Sequence, residues 1–148
     1  MRFMTRAQSR PRFRVTSTKV SVLLAGFHLG KDVVFALDAA ASSFFQDGVY
    51  TFTSENKEMN SYEIIQYYES LIAQYPIVSI EDGLDENDWS GWEILTNQLG
   101  KKLQLVGDDL FVTNNKILAK GIERHVANAI IIKPNQIGTL TETMKTMH

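Results

Sequence analysis

Cysteine is missing from all 148 residues, so neither a disulfide nor a thiolate metal site can be built. That composition suits a reducing compartment. Long hydrophobic runs are missing too. No stretch approaches the roughly 20 apolar residues that span a bilayer, so no membrane partner is expected. Nor is there a surplus of positive charge. With 15 basic and 17 acidic residues the formal net charge is −2, which argues against nucleic acid as the main partner. The three histidines, His28, His125 and His148, share no metal-ligand spacing. The segment "KPNQIGT" contains a glycine but not the spacing of a phosphate loop.

One further absence is local. From Met1 to Lys31 there is no acid, while Arg2, Arg6, Arg10, Arg12, Arg14, Lys19 and Lys31 are basic; the other 8 basic residues and all 17 acids follow. The opening "MRFMTRAQSRPRFRVTSTK" also lacks helical or strand periodicity. Residues 1–24 therefore read as a basic leader outside the fold. Its Arg-rich, acid-free composition is superficially that of a transit peptide or a nucleic-acid-binding arm. A non-native leader, such as read-through from another frame, is the reading preferred here.

From Asp32 onward the chain alternates. "DVVFALDAA" is a short β-branched apolar run, as in a buried strand. "FFQDGVYTF" places aromatic-rich pieces on either side of Asp47-Gly48, a hairpin signal. "NSYEIIQYYESLIAQY" puts Ile64, Ile65, Tyr68, Leu71, Ile72 and Tyr75 on one helical face, with Asn60 and Glu63 spaced as an N-terminal cap. The strand "PIVSIED" precedes a helix, "DWSGWEILTNQLG", with Trp92, Leu95 and Leu99 inward and Gly100 as its stop. Trp89 and Trp92 read as helix packing. "KLQLVGDD" and "NAIIIKPN" are further strands, separated by the helix "NNKILAKGIERH". "TLTETMKTMH" opens a last helix, with Thr139 and Glu142 spaced as a capping box. Apolar strands alternating with amphipathic helices describe an α/β fold of parallel βα units. The expectation is a partial TIM-type (βα) barrel of about four units, with a hairpin inserted after the first strand.

The four strands end in Asp38, Glu81, Asp108 and Lys133, at intervals of 43, 27 and 25 residues. In a parallel sheet these ends share one side, and in a (βα) barrel that side carries the active site. Carboxylates about 5 Å apart repel by roughly 3 kcal/mol per pair at an effective dielectric near 20. A cation between them removes that cost, and all-oxygen ligands suit a hard dication such as Mg²⁺. Such a metal acts as a Lewis acid toward a substrate carboxylate. Lys133 is then the candidate base for a proton on the neighbouring carbon, its pKa pushed down from about 10.4 by the dication. A single acid at a strand end is ordinarily a cap or loop residue, and Asp82 and Asp109 are read that way. Four such ends in succession favour the functional reading.

These same segments carry a resemblance. "FALDAAASSFFQDGVYTF", "YPIVSIEDGLDENDW", "LQLVGDDLFVTN" and "IIIKPNQIGTLTET" closely resemble the barrel domain of the enolase family (phosphopyruvate hydratase), in the bacterial style, from Ala25 to Thr143. The pairing of a Lys base with Mg²⁺ is an established pattern of that superfamily. The resemblance implies that Asp38, Glu81 and Asp108 bind Mg²⁺. It also implies that Lys133 takes the C2 proton of 2-phosphoglycerate, giving phosphoenolpyruvate and water in glycolysis. A small-molecule substrate, a cytoplasmic setting and a homo-oligomer are implied as well. Residues 25–148 would be an incomplete barrel domain. The family's N-terminal domain, its general-acid glutamate, its His-Arg-Ser motif and its second lysine have no counterpart in these 148 residues. The expectation is therefore a metastable chain that binds Mg²⁺ weakly and turns over little substrate. A non-catalytic binding or assembly module is the alternative.

Overall fold

A strand covered on both faces cannot afford polar side chains, and the apolar runs duly form the centre of a parallel sheet. The computed structural model describes residues 2–6, 21–53 and 55–148. In chain order it has β1 (Arg2–Arg6), β2 (Val34–Asp38), a 3₁₀ turn (Ala41–Phe44), then β3 (Phe45–Gln46), β4 (Val49–Phe52) and β5 (Lys57–Met59). There follow α1 (Ser61–Gln74), β6 (Ile77–Glu81), α2 (Trp89–Leu99), β7 (Gln104–Gly107) and α3 (Asn115–Glu123). The chain closes with β8 (Ala129–Ile130), α4 (Pro134–Ile137) and α5 (Leu140–Met147).

Strands β1, β2, β6, β7 and β8 lie side by side in that order, all parallel, and the sheet does not close into a barrel. The expected α/β architecture of βα units is present. So is the hairpin after the first of the four expected strands: β3 and β4 pair antiparallel around Asp47-Gly48. A third strand, β5, extends that hairpin and had no signal of its own. The sequence expectation set residues 1–24 apart from the fold, yet Arg2–Arg6 pairs in register with Val34–Asp38. Ladder hydrogen bonds are made by backbone, so the edge of β2 can accept a strand without apolar periodicity. Residues 7–20 of that leader lie outside the described residues.

Helix α1 begins with both halves of the capping box: Asn60 Oδ1 accepts from the Glu63 N–H at 3.0 Å and Glu63 from the Asn60 N–H at 2.8 Å. Its Ile64, Ile65, Tyr68 and Leu71 are buried, while Ile72 and Tyr75 are half-buried at the rim of the core. Trp92, Leu95 and Leu99 of α2 enter the same core. Gly100 ends α2 with φ −63, a right-handed conformation, so the stop is not made by a left-handed turn. At α5 only half of the expected box forms: Thr139 Oγ1 accepts from the Glu142 N–H, but Glu142 turns its carboxylate to the Thr139 hydroxyl. Strand β8 is shorter than expected, because Pro134 starts α4 and draws the chain out of the ladder.

Candidate active site

Two residues have to share a face before they can share a ligand, and here a local irregularity arranges it. Phe35 pairs with Ile77, but the register slips by one before Ala36, so that Asp38 lies opposite Glu81. Without that bulge Asp38 would face the apolar Ile80, since a one-residue slip turns side chains to the other face of a sheet. Glu81 is only 7% exposed. Burial and then the charges of Asp38, Asp108 and Asp82 push its carboxyl up to about 7. Among those like charges Asp38, opposite Glu81 in the ladder, has the largest effect.

The loop after Glu81 is tied down by aromatic side chains that use their polar ends. Tyr68 Oη donates to the Gly83 carbonyl at 2.8 Å, and Trp92 Nε1 donates to the Asp85 carbonyl at 3.2 Å. Tyr50 Oη accepts from the Asp85 N–H and donates to Asp88. Asp82 adopts φ 42, a left-handed conformation that Asp tolerates better than most residues. Its carboxylate receives the N–H groups of Asp108 at 3.0 Å and Asp109 at 2.9 Å. Thus the loop following β6 shapes the loop following β7. Burial pushes the Asp82 carboxyl up to about 6, although these N–H donors oppose the shift.

Asp108 follows Gly107, where an added Cβ would stand 2.6 Å from Phe111 Cδ2, so no other residue fits that approach. Its side chain is 10% exposed. One oxygen, Oδ2, receives the ammonium of Lys133, and the other receives Gln136 Nε2 at 2.7 Å. Oxygens of Glu81, Asp82 and Asp108 all lie within 4.8 Å of one another, the tightest carboxylate group among the described residues. Lys133 precedes Pro134, which favours the extended conformation observed, φ −129 and ψ 106. Its backbone N–H donates to Thr113 Oγ1 at 2.9 Å. Lowering of the Lys133 pKa is expected only with a second positive charge beside it. The hydrogen bond that its ammonium donates to the Asp108 carboxylate acts the other way and raises it.

The four residues singled out from the sequence therefore gather at one end of the sheet. Asp38 and Glu81 are opposed across one ladder, Asp108 borders Glu81, and Lys133 bonds to Asp108. Thr113 and Gln136 were missed. Both stood inside quoted segments, but no periodicity or spacing marks a side-chain amide as the partner of an acid on another strand. The donor set fits a hard dication: it is all oxygen, crowded and largely buried.

Comparison with known proteins agrees with this arrangement. Residues 14–148 match the family described as Enolase, C-terminal TIM barrel domain. The enolases of Legionella pneumophila strains Corby and Paris are each 66% identical over 119 residues, and that of strain Lens is 65% identical. The match covers 80% of this chain and 28% of each relative, so the chain spans well under half of their length. With the motifs, the parallel sheet and the acidic rim in agreement, the chain belongs to the enolase family, within its C-terminal TIM barrel domain.

Proposed function

We propose that Asp38, Glu81 and Asp108 hold Mg²⁺ and that Lys133 is the base that takes the C2 proton of 2-phosphoglycerate. The chain would then carry the metal-holding and proton-abstracting part of a glycolytic phosphopyruvate hydratase, a hydro-lyase acting in the cytoplasm. The observation that carries this reading is that Asp38 lies opposite Glu81, Asp108 lies within 4.8 Å of Glu81, and the Lys133 ammonium bonds to Asp108, all at one end of the sheet. Bound there, the cation supplies positive charge against the negative charge that develops on the substrate carboxylate.

The chain's own residues divide the remaining work. Glu81 and Asp108 are buried, so their positions are set by packing rather than by solvent. Asp82 holds the turn that presents Asp108. Lys133 acts as a base only when neutral, and its hydrogen bond to Asp108 favours the charged form, so moving away from Asp108 would ease deprotonation. A lysine 43% exposed at its side chain has room to make that movement.

Loss of the 3-hydroxyl needs a proton donor, a role that none of the residues assigned above fills. We therefore propose that the 148-residue chain turns over little substrate unless another chain supplies the rest of the site. Mg²⁺ titration of the purified chain tests the first part, with binding lost in Glu81→Gln. A coupled assay tests the second, with turnover only after a polypeptide bearing the remaining strands is added. Absence of Mg²⁺ binding, or complemented turnover unaffected by Lys133→Ala, would falsify the assignment.

A further inference from the structure

Asp108 accepts two hydrogen bonds, and only one of them comes from a residue with a role so far. The second donor, Gln136, lies in the single turn of α4 that follows the extended Lys133. A carboxylate can only accept, so Gln136 must turn its NH₂ toward Asp108 and its carbonyl away. That carbonyl receives the Thr113 hydroxyl at 2.7 Å. Having donated its proton there, Thr113 Oγ1 offers a lone pair to the Lys133 N–H at 2.9 Å. The four groups form a closed ring: Asp108 to Gln136, Gln136 to Thr113, Thr113 to the Lys133 backbone, and the Lys133 ammonium back to Asp108. Lys133 donates at both ends of it and Asp108 accepts at both, so two arms run from the lysine to the carboxylate.

The chain strains to make the ring. Val112 and Thr113 have φ of 42 and 56, and β-branched residues rarely enter that region. Consecutive strain of this kind persists only where surrounding contacts hold it. Here the Val112 N–H bonds to the Asp108 carbonyl at 2.9 Å, and the Thr113 carbonyl receives the buried Thr146 hydroxyl at 2.8 Å. On the other side, Gly138 at φ 96 closes α4 and keeps Gln136 over the rim. Thr113 itself is fully buried, so its hydroxyl has no solvent to turn to.

We propose that Gln136, oriented by Thr113, is a positioning residue that locks Asp108 for metal binding and sets where the Lys133 ammonium rests. The proposal rests on the metal-site reading above. It makes two separable claims, one about the carboxylate and one about the lysine.

Mn²⁺ serves as the probe, read by electron paramagnetic resonance on the full 148-residue chain. Gln136→Met keeps the volume and removes the amide, and Thr113→Val keeps the branch and removes the hydroxyl. Each should lower Mn²⁺ affinity by about 10-fold, the effect of freeing a ligand from its outer partner. Thr113→Ser, which retains the hydroxyl, should stay within about twofold, whereas a merely structural role would not discriminate Ser from Val in this way. In the metal-free chain, the Lys133 ¹⁵Nζ resonance should move in Gln136→Met and Thr113→Val and return in Thr113→Ser. Affinity and resonance both unchanged in a folded Gln136→Met chain would overturn the proposal. If that variant unfolds, Thr113→Val decides by the same two readings. If the unsubstituted chain takes up no Mn²⁺, the metal reading fails by itself, and an unmoved Lys133 resonance in Gln136→Met would overturn the positioning role independently.

Discussion

Glu81 is the residue whose chemistry depends most on its neighbours. Its carboxyl, ordinarily near 4.5, is pushed up to about 7 by burial and by the surrounding acids, and Asp82 moves from 3.8 to about 6. An acid with a raised folded-state value binds more protons folded than unfolded throughout the interval between the two values. Metal-free stability should therefore fall as pH rises from about 4.5 to 7, the reverse of the usual carboxylate behaviour. Saturating Mg²⁺ holds the charged forms, so the slope should flatten or invert. Urea melts across that interval, in chelator and in Mg²⁺, measure both slopes; Glu81→Gln should remove part of the chelator slope. The raised Lys133 value acts only at alkaline pH and does not enter this window. At Lys133 itself, substitution by Met should lower complemented turnover by about 10²- to 10⁴-fold, the usual contribution of a general base, in the coupled assay.

Among the elements, α1 shows how local chemistry and packing divide the work. The reciprocal bonds of Asn60 and Glu63 specify where the helix starts, while Ile64, Ile65 and Tyr68 specify which face turns inward. Asn60→Ala removes the cap without touching that face and should destabilise the chain by about 1 kcal/mol, read from the midpoint of a urea melt. Both features were legible in the sequence because each depends on residues within one or two turns. The bulge between Phe35 and Ala36 was not, although it decides that Asp38 meets Glu81. Pairing register depends on how two distant strands settle against a common core, and Val78, the extra residue that β6 carries opposite Phe35 and Ala36, has no glycine beside it to mark the slip. The left-handed Val112 and Thr113 were equally hidden, since their residue types argue against that conformation.

At the scale of the whole molecule, the sheet is open. Among the described residues β1 and β8 each have a strand on one side only, and an unpaired edge invites another chain. Size-exclusion chromatography with light scattering should show association that grows with concentration. Addition of a chain bearing the remaining strands should suppress it and restore turnover together, because both depend on covering the same edges. No helix among the described residues is long and apolar enough to cross a membrane.

Alternating apolar runs, helix caps and the strand ends that carry Asp38, Glu81 and Asp108 are properties of short stretches. They follow from side-chain size, polarity and period, and the sequence by itself determined them. Only the tertiary structure decided the partners: the register that brings Asp38 against Glu81, the Asp82 carboxylate beneath the next loop, and the Gln136–Thr113 ring around Asp108 and Lys133. Those relations join atoms 20 or more positions apart, where the backbone can take many paths and packing selects one.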